Sequence, residues 1–274
     1  MSLPEGQDLW ANGASCEAYV GRWSRSVARQ FLAWLSVPAG AHWLGIGGGT
    51  GALSQAILEI TSPQSVLGID ASKGYIAHAR ELIQDPRAAF CLGDAQVLPV
   101  ASAAYDAVVS GLVLNFLPQP DQALGEMIRA AREDGTVAAY VWDYAGHMQL
   151  IRYFWDAAAA LDPGAFPLDE GRRFPLCQPE PLRQLFQAGR LEGVEVRMID
   201  VPTLFRDFDD YWTPFLGGQG PAPDYVASLS EDRRVALRER LRTMLPIAPD
   251  GSIHLVARAW AVRGVRRNAR PILA

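Results

Sequence analysis

The sequence predicts an α/β fold with a parallel sheet, and three observations carry that prediction. Apolar runs of strand length alternate with amphipathic runs of helix length through the first half of the chain. A glycine-rich loop, Gly47-Gly48-Gly49-Thr50-Gly51, joins one such run directly to a helical pattern. Carboxylates, Asp70 and Asp94, stand at the ends of the next two runs. The chain has 274 residues, 49% hydrophobic and 20% charged. That is enough for one large domain with an elaboration, or for two small ones.

The elements follow in order. Residues 23–36 place Val27, Phe31, Leu32 and Leu35 on one helical face and end before Pro38. Residues 42–47 form the first strand. Beyond the glycine loop, Ala52, Leu53, Ala56, Ile57 and Ile60 recur at helical spacing, with Thr50 available as an N-cap. Ser65–Asp70 reads as a second strand ending in a carboxylate, and Ser72 caps a helix carrying Tyr75, Ile76, Ala79 and Ile83. A short third strand, Ala88–Leu92, leads to Gly93-Asp94-Ala95. Tyr105–Ser110 is a fourth strand, Gln122–Arg132 a helix and Thr136–Trp142 a fifth strand.

Ligands of open parallel sheets sit beyond the carboxyl ends of the strands. Gly47, Gly49 and Gly51 lack Cβ atoms, which permits a tight turn and brings the backbone to a ligand, while the following helix offers its free amides. Asp70 lies nineteen positions after Gly51, the separation at which a carboxylate meets ribose hydroxyls. Asp94 can accept from an exocyclic adenine amine, and the amide of Ala95 can serve a ring nitrogen. Each aspartate taken singly also fits a solvated turn or a helix cap. Gly47-x-Gly49-x-x-Ala52 satisfies a dinucleotide fingerprint as well, so an NAD(P)-dependent oxidoreductase is a second reading.

The ordered set Gly47-x-Gly-x-Gly51, Asp70, Gly93-Asp94-Ala95 and the strand at Tyr105-Asp106, with Tyr19-Val-Gly-Arg-Trp23 ahead of it, resembles the class I S-adenosylmethionine-dependent methyltransferases, in particular the small-molecule type 11 group. The resemblance covers about residues 15–145. It implies a Rossmann-like, seven-stranded, mostly parallel sheet with an antiparallel last strand and helical lid insertions. Residues 191–203 and 252–262 suit the last two strands. The implied domains are an N-terminal helical cap (1–40), a cofactor-binding core (41–145), late strands with helical lid insertions (146–262) and a basic tail (263–274).

The resemblance further implies S-adenosyl-L-methionine as cofactor, with Gly47, Gly49 and Gly51 at its methionine part, Asp70 at the ribose, Ala71 against the adenine, and Asp94 with Ala95 on the adenine edge. Ser110 stands where such enzymes offer backbone groups to the cofactor's amino group. Tyr19 and Arg22 lie where a leading helix closes over the cofactor, Arg22 pairing with its carboxylate; aromatic packing and a surface arginine are the alternative. The family carries an acidic residue where this chain has Gly45, and often cysteine at Gly48. Loss of that charge-assisted contact, about 1.5–3 kcal/mol, makes a cofactor-binding protein with impaired catalysis a third reading.

The chemistry implied is transfer of a methyl group to an O, N or C atom of a small acceptor, by alignment in a water-poor site. A general base is needed only when the nucleophile arrives protonated, and His147, after the fifth strand, is the leading candidate, with Asp143, Tyr144 and His254 behind it. The segments 145–190 and 204–250 hold Tyr153, Phe154, Trp155, Phe166, Phe174, Phe205, Phe208, Tyr211, Trp212 and Phe215. These either line a pocket for an apolar or aromatic molecule or pack the lid, and packing is the commoner fate. Asn115-Phe116 is a position from which the family commonly meets substrate.

Other functions are disfavoured. The net charge of −5 argues against a nucleic-acid partner, and the basic run Arg263–Arg270 reads as a solvated tail. The three cysteines, Cys16, Cys91 and Cys177, form no CxxC, and the four histidines have no metal-ligand spacing, so no metal site is expected. The sequence lacks a membrane-length apolar run and a secretory signal pattern, which predicts a cytoplasmic protein, monomeric or homodimeric, whose partner is a small-molecule methyl acceptor.

Overall fold

A computed structural model describes residues 22–217 and 220–267. Helices are α1 (Arg22–Leu35), α2 (Ala52–Ile60), α3 (Lys73–Leu82), α4 (Pro120–Ala130), α5 (Gln149–Leu161), α6 (Glu170–Arg173), α7 (Pro179–Ala188), α8 (Phe208–Trp212), α9 (Pro221–Ser228) and α10 (Glu231–Met244). Strands are β1 (His42–Ile46), β2 (Ser65–Asp70), β3 (Ala88–Leu92), β4 (Tyr105–Gly111), β5 (Ala131–Trp142), β6 (Glu192–Phe205) and β7 (Ile253–Val265). They form one seven-stranded sheet in the order β3-β2-β1-β4-β5-β7-β6.

Strands β1 to β5 pair in parallel, and β7 runs antiparallel to β5, with Thr136 opposite Val265 and Trp142 opposite Ala259. The expected seven-stranded, mostly parallel sheet with its late antiparallel strand is therefore present. Strand order reverses between β1 and β4, because β2 and β3 lie on one side of β1 and all later strands on the other. That is the switch point beyond which such sheets bind ligands.

The chain forms two compact units. The first holds 24–142, 176–199 and 259–267, which include most of the sheet with α1 to α4 and α7. Its core is an apolar sheet interior in which Trp43, Leu44, Val108, Val109, Val137 and Ala138 are fully buried. On one face the aromatic ring of Phe31 in α1 meets Tyr140 of β5 at 4.7 Å. The central strands β1 and β4 read as near-continuous apolar runs because both faces are covered, whereas only Phe90 of the edge strand β3 is buried.

The second unit holds residues 22–23, 143–175 and 200–258, mainly helical. Phe154 stacks on Phe215 at 4.5 Å, Tyr211 packs on Phe205 and Phe215, and the Tyr211 hydroxyl donates to Leu150 O at 2.9 Å. Seven of the ten aromatics singled out in the sequence, Phe154, Trp155, Phe205, Phe208, Tyr211, Trp212 and Phe215, are buried in this way. Among the described residues no helix is long and apolar enough to cross a membrane.

Local expectations are corrected at three points, one being the start of the basic tail: Arg263 lies inside β7 and donates to Trp34 O at 2.8 Å and to the Glu195 carboxylate. The helix expected over 122–132 is observed over Pro120–Ala130, and β5 begins at Ala131 rather than Thr136. Ala131-Arg132-Glu133-Asp134 favours helix by propensity, yet Ala131 pairs with Tyr105 across a register shift, so tertiary pairing overrides it. Nor does Thr50 cap α2. The N-cap is Gly51 at φ 90°, with no side-chain hydrogen bond. Ser72 does cap α3, its hydroxyl accepting from the Tyr75 amide.

Candidate functional site

The glycine loop leaves β1 and is tied to β2 by its backbone. The amides of Gly47 and Gly48 both donate to Ile69 O, at 2.8 and 3.0 Å, and Gly51 N donates to Gly48 O. The three expected glycines are required for three different reasons. Gly47, at φ 66°, lies directly under the Val113 side chain, which a Cβ would strike. Gly51 combines φ 90° with the approach of Ile83. Gly49, at φ 48°, meets only the loop's own Gly47 O within 4 Å of its missing Cβ, so open space lies beside it.

Asp70 closes the loop from the end of β2. One carboxylate oxygen accepts from Gly49 N at 2.8 Å and the other from Ser72 N at 2.8 Å. Its carbonyl accepts from Gly93 N at 3.0 Å, which draws the end of β3 alongside. Asp94 follows there as an exposed turn carboxylate accepting from Gln96 N at 2.8 Å, and Ala95 is buried behind it. Ala71 is exposed. Ser110 stands opposite Ile46 at the end of β4, 1% exposed, its hydroxyl without a partner among the described residues.

The first unit thus brings together Gly47, Gly49, Gly51, Asp70, Ala71, Asp94, Ala95 and Ser110 around the carboxyl ends of β1 to β4. The face of Gly49 is open, and the Asp70 carboxylate stands beside it, accepting the Gly49 and Ser72 amides. At Gly45, where an acidic side chain is absent, a Cβ would meet Ser54 Oγ at 3.8 Å and Leu67 O at 3.9 Å, ordinary contacts. The sequence did not signal that Asp70 holds the loop, nor that Val113 covers Gly47.

Tyr19 lies outside the described residues. Arg22, in the other unit, donates to Asp210 at 3.1 Å and to Leu204 O, and its guanidinium lies 4.5 and 4.6 Å from the rings of Trp23 and Phe205. It already has a carboxylate partner. His147 is half exposed; its Nδ1 is 3.3 Å from Arg258 Nη1 and 3.8 Å from the Asp143 carboxylate. Asp143 is buried and accepts from the amides of Gly146 and His147. Tyr144 is buried against Phe174, and His254 is exposed, 3.1 Å from Ser252 Oγ.

Comparison with known proteins agrees with this fold. Residues 44–139, from β1 into β5, match the family profile described as a methyltransferase domain. The demethylmenaquinone methyltransferase of Roseiflexus sp. (strain RS-1) is 31% identical over 177 residues, covering 59% of this chain and 72% of that protein. The chloroplastic 2-methyl-6-phytyl-1,4-hydroquinone methyltransferase 2 of Oryza sativa subsp. japonica is 30% identical over 111 residues, 40% of this chain and 32% of the relative. The fold is shared with phosphoethanolamine N-methyltransferase 2 of Haemonchus contortus, solved with S-adenosyl-L-methionine, at a TM-score of 0.59 and 15% identity, over 97% of this chain and 62% of the other.

Proposed function

The chain belongs to the class I S-adenosylmethionine-dependent methyltransferases, and from that premise we propose that it methylates a small aromatic or otherwise apolar molecule. The cofactor is S-adenosyl-L-methionine, which supplies an electrophilic methyl group on a sulfonium and departs as a thioether. An oxidoreductase reading is thereby set aside.

The observation that carries the residue assignments is the Asp70 bridge between Gly49 and Ser72. It holds the glycine loop in a ligand-ready shape before binding. In this reading the open face of Gly49 and its neighbours Gly47 and Gly51 receive the methionine part. Asp70 takes the ribose, Ala71 lies on the adenine, and Asp94 with the Ala95 amide reads the adenine edge. Ser110 lies at the amino group. Residues 41–145 hold the cofactor, and the helical insertions within 146–262 contribute to the choice of acceptor.

The acceptor class is supported by two relatives whose names specify menaquinone precursors and a phytyl hydroquinone. Calorimetric titration with S-adenosylmethionine, S-adenosylhomocysteine and NAD, followed by methyl-transfer assays on 1,4-naphthohydroquinone, an aromatic amine and a fatty acid, tests the proposal. Turnover confined to the amine or the fatty acid would replace the hydroquinone-like acceptor. Binding of the sulfur compounds without turnover on any acceptor would favour impaired catalysis.

A further inference from the structure

Two hydrogen-bond donors at the carboxyl end of β5 have no partner among the described residues. Trp142 is 2% exposed, with its indole N–H buried and unpartnered among the described residues; Tyr140, two residues earlier, is 2% exposed, and no hydrogen bond joins its hydroxyl to a described residue. Buried indoles ordinarily find acceptors, and an unpaired buried donor is costly, so the Trp142 N–H requires an explanation, and the Tyr140 hydroxyl is a second donor beside it on the same strand. Residues i and i+2 of a strand share a face, which places both on the face where Phe31 packs.

The neighbouring backbone is shaped around the phenol. Gly111, opposite Tyr140 in the β4–β5 register, has no Cβ; one would lie 2.6 Å from the Tyr140 hydroxyl. The next residue, Leu112, takes φ 62°, a strained conformation for leucine, and its amide donates to Tyr140 O at 2.8 Å. Val113 then reaches over Gly47. The same short turn therefore leaves room for the Tyr140 hydroxyl and packs on the glycine loop, at the end of the sheet where ligands bind.

We propose that Tyr140 is an acceptor-orienting residue: its hydroxyl, seconded by the Trp142 indole N–H, holds the ring oxygen of a phenol- or hydroquinone-type acceptor at the carboxyl ends of β4 and β5. This rests on the proposed acceptor class and deepens it. Burial pushes the Tyr140 phenol well above its ordinary pKa, so it donates and does not act as a base. Two neutral donors favour a carbonyl or ionised oxygen over a protonated one and over an amine, which would itself present hydrogens. The acceptor hydroxyl consequently ionises more readily, its proton passing to solvent.

The test compares wild type with Tyr140→Phe, which keeps the ring contact with Phe31, and with Gly111→Ala, which puts a methyl group where the hydroxyl lies. Methyl transfer to 1,4-naphthohydroquinone is measured against pH, with S-adenosylmethionine affinity by calorimetry and the pKa of bound 4-nitrophenol by absorbance. Both variants are expected to lose about ten- to a hundredfold in kcat/KM for the hydroquinone. The acid limb of the pH profile and the bound nitrophenol pKa are expected to move up, with cofactor affinity unchanged within about twofold. Wild-type turnover with an unchanged Tyr140→Phe variant overturns this inference alone. So does an equal loss on an aromatic amine. Failure of the wild type to bind or methylate any phenol overturns the acceptor class and this inference together.

Discussion

The Asp70 carboxylate accepts the Gly49 amide at 2.8 Å across the gap between the first two strands, and the same group accepts the Ser72 amide that opens α3. One side chain thus fixes the glycine loop and the start of a helix. Both oxygens face N–H donors, so asparagine is a poor substitute: its amide nitrogen turns a donor toward a donor. Asp70→Asn and Asp70→Ala are both expected to lower the stability of the cofactor-free protein by about 1–3 kcal/mol. Cofactor affinity should fall more than tenfold as well. Denaturant unfolding and calorimetric titration check the pair of effects, and loss of affinity at full stability would confine Asp70 to ribose binding.

Gly45 is the family position without its acid. A Cβ there meets Ser54 Oγ and Leu67 O at 3.8 and 3.9 Å, so the first atom of a new side chain has room. Gly45→Asp is expected to tighten S-adenosylmethionine binding about tenfold, the worth of one modest charge-assisted contact. Unchanged affinity in calorimetry would mean that the Asp70 bridge already supplies what the missing acid does elsewhere. The double variant with Asp70→Ala separates the two cases, because a compensating carboxylate at 45 would restore part of the lost affinity.

The order of elements and the cofactor end of the sheet were legible because they are written in local pattern: glycines at a tight turn, an aspartate at a fixed distance, apolar runs of strand length. The start of β5 was not legible, since Ala131-Arg132-Glu133-Asp134 favours helix, yet Ala131 pairs with Tyr105 of β4 across a register shift. Thr50 looked like a cap, but the backbone there turns through φ 90° at Gly51. Val113 over Gly47, and Tyr140 over Gly111, are contacts between residues distant in sequence, and spacing carries no trace of them. The aromatics of the helical unit were legible as a set and resolved by burial, which assigns most to packing.

Glu170 is a buried carboxyl in the helical unit, 2% exposed, hydrogen-bonded to the Trp155 indole N–H with Asp169 and Arg173 nearby. Desolvation pushes its pKa up to about 7. A folded-state value raised above the unfolded one means stability fully present below about pH 4.5 and lost as pH rises toward 7. The loss amounts to about 3 kcal/mol. Glu170→Gln keeps an oxygen for the indole and has no charge to bury. Thermal unfolding of the variant is expected to match wild type near pH 5 and to exceed it at pH 8; parallel curves across that range would remove the carboxyl from the account.

His147 is the residue whose base role is most open to a direct test. Arg258 is held by Asp200 through two hydrogen bonds of 2.7 and 2.8 Å, and its Nη1 lies 3.3 Å from His147 Nδ1. A guanidinium can only donate, so the neutral imidazole accepts at Nδ1 and carries its proton on Nε2. Its second nitrogen is then a donor rather than a base. The nearby Asp143 carboxylate accepts from two backbone amides, which occupies it in shaping the turn after β5. His147→Gln is therefore expected to retain kcat within about threefold, whereas removal of a general base costs about a hundredfold or more. The pH–rate profile decides between them: loss of its acid limb together with a hundredfold fall in kcat would make His147 the base and would require the Arg258 contact to break when the acceptor binds.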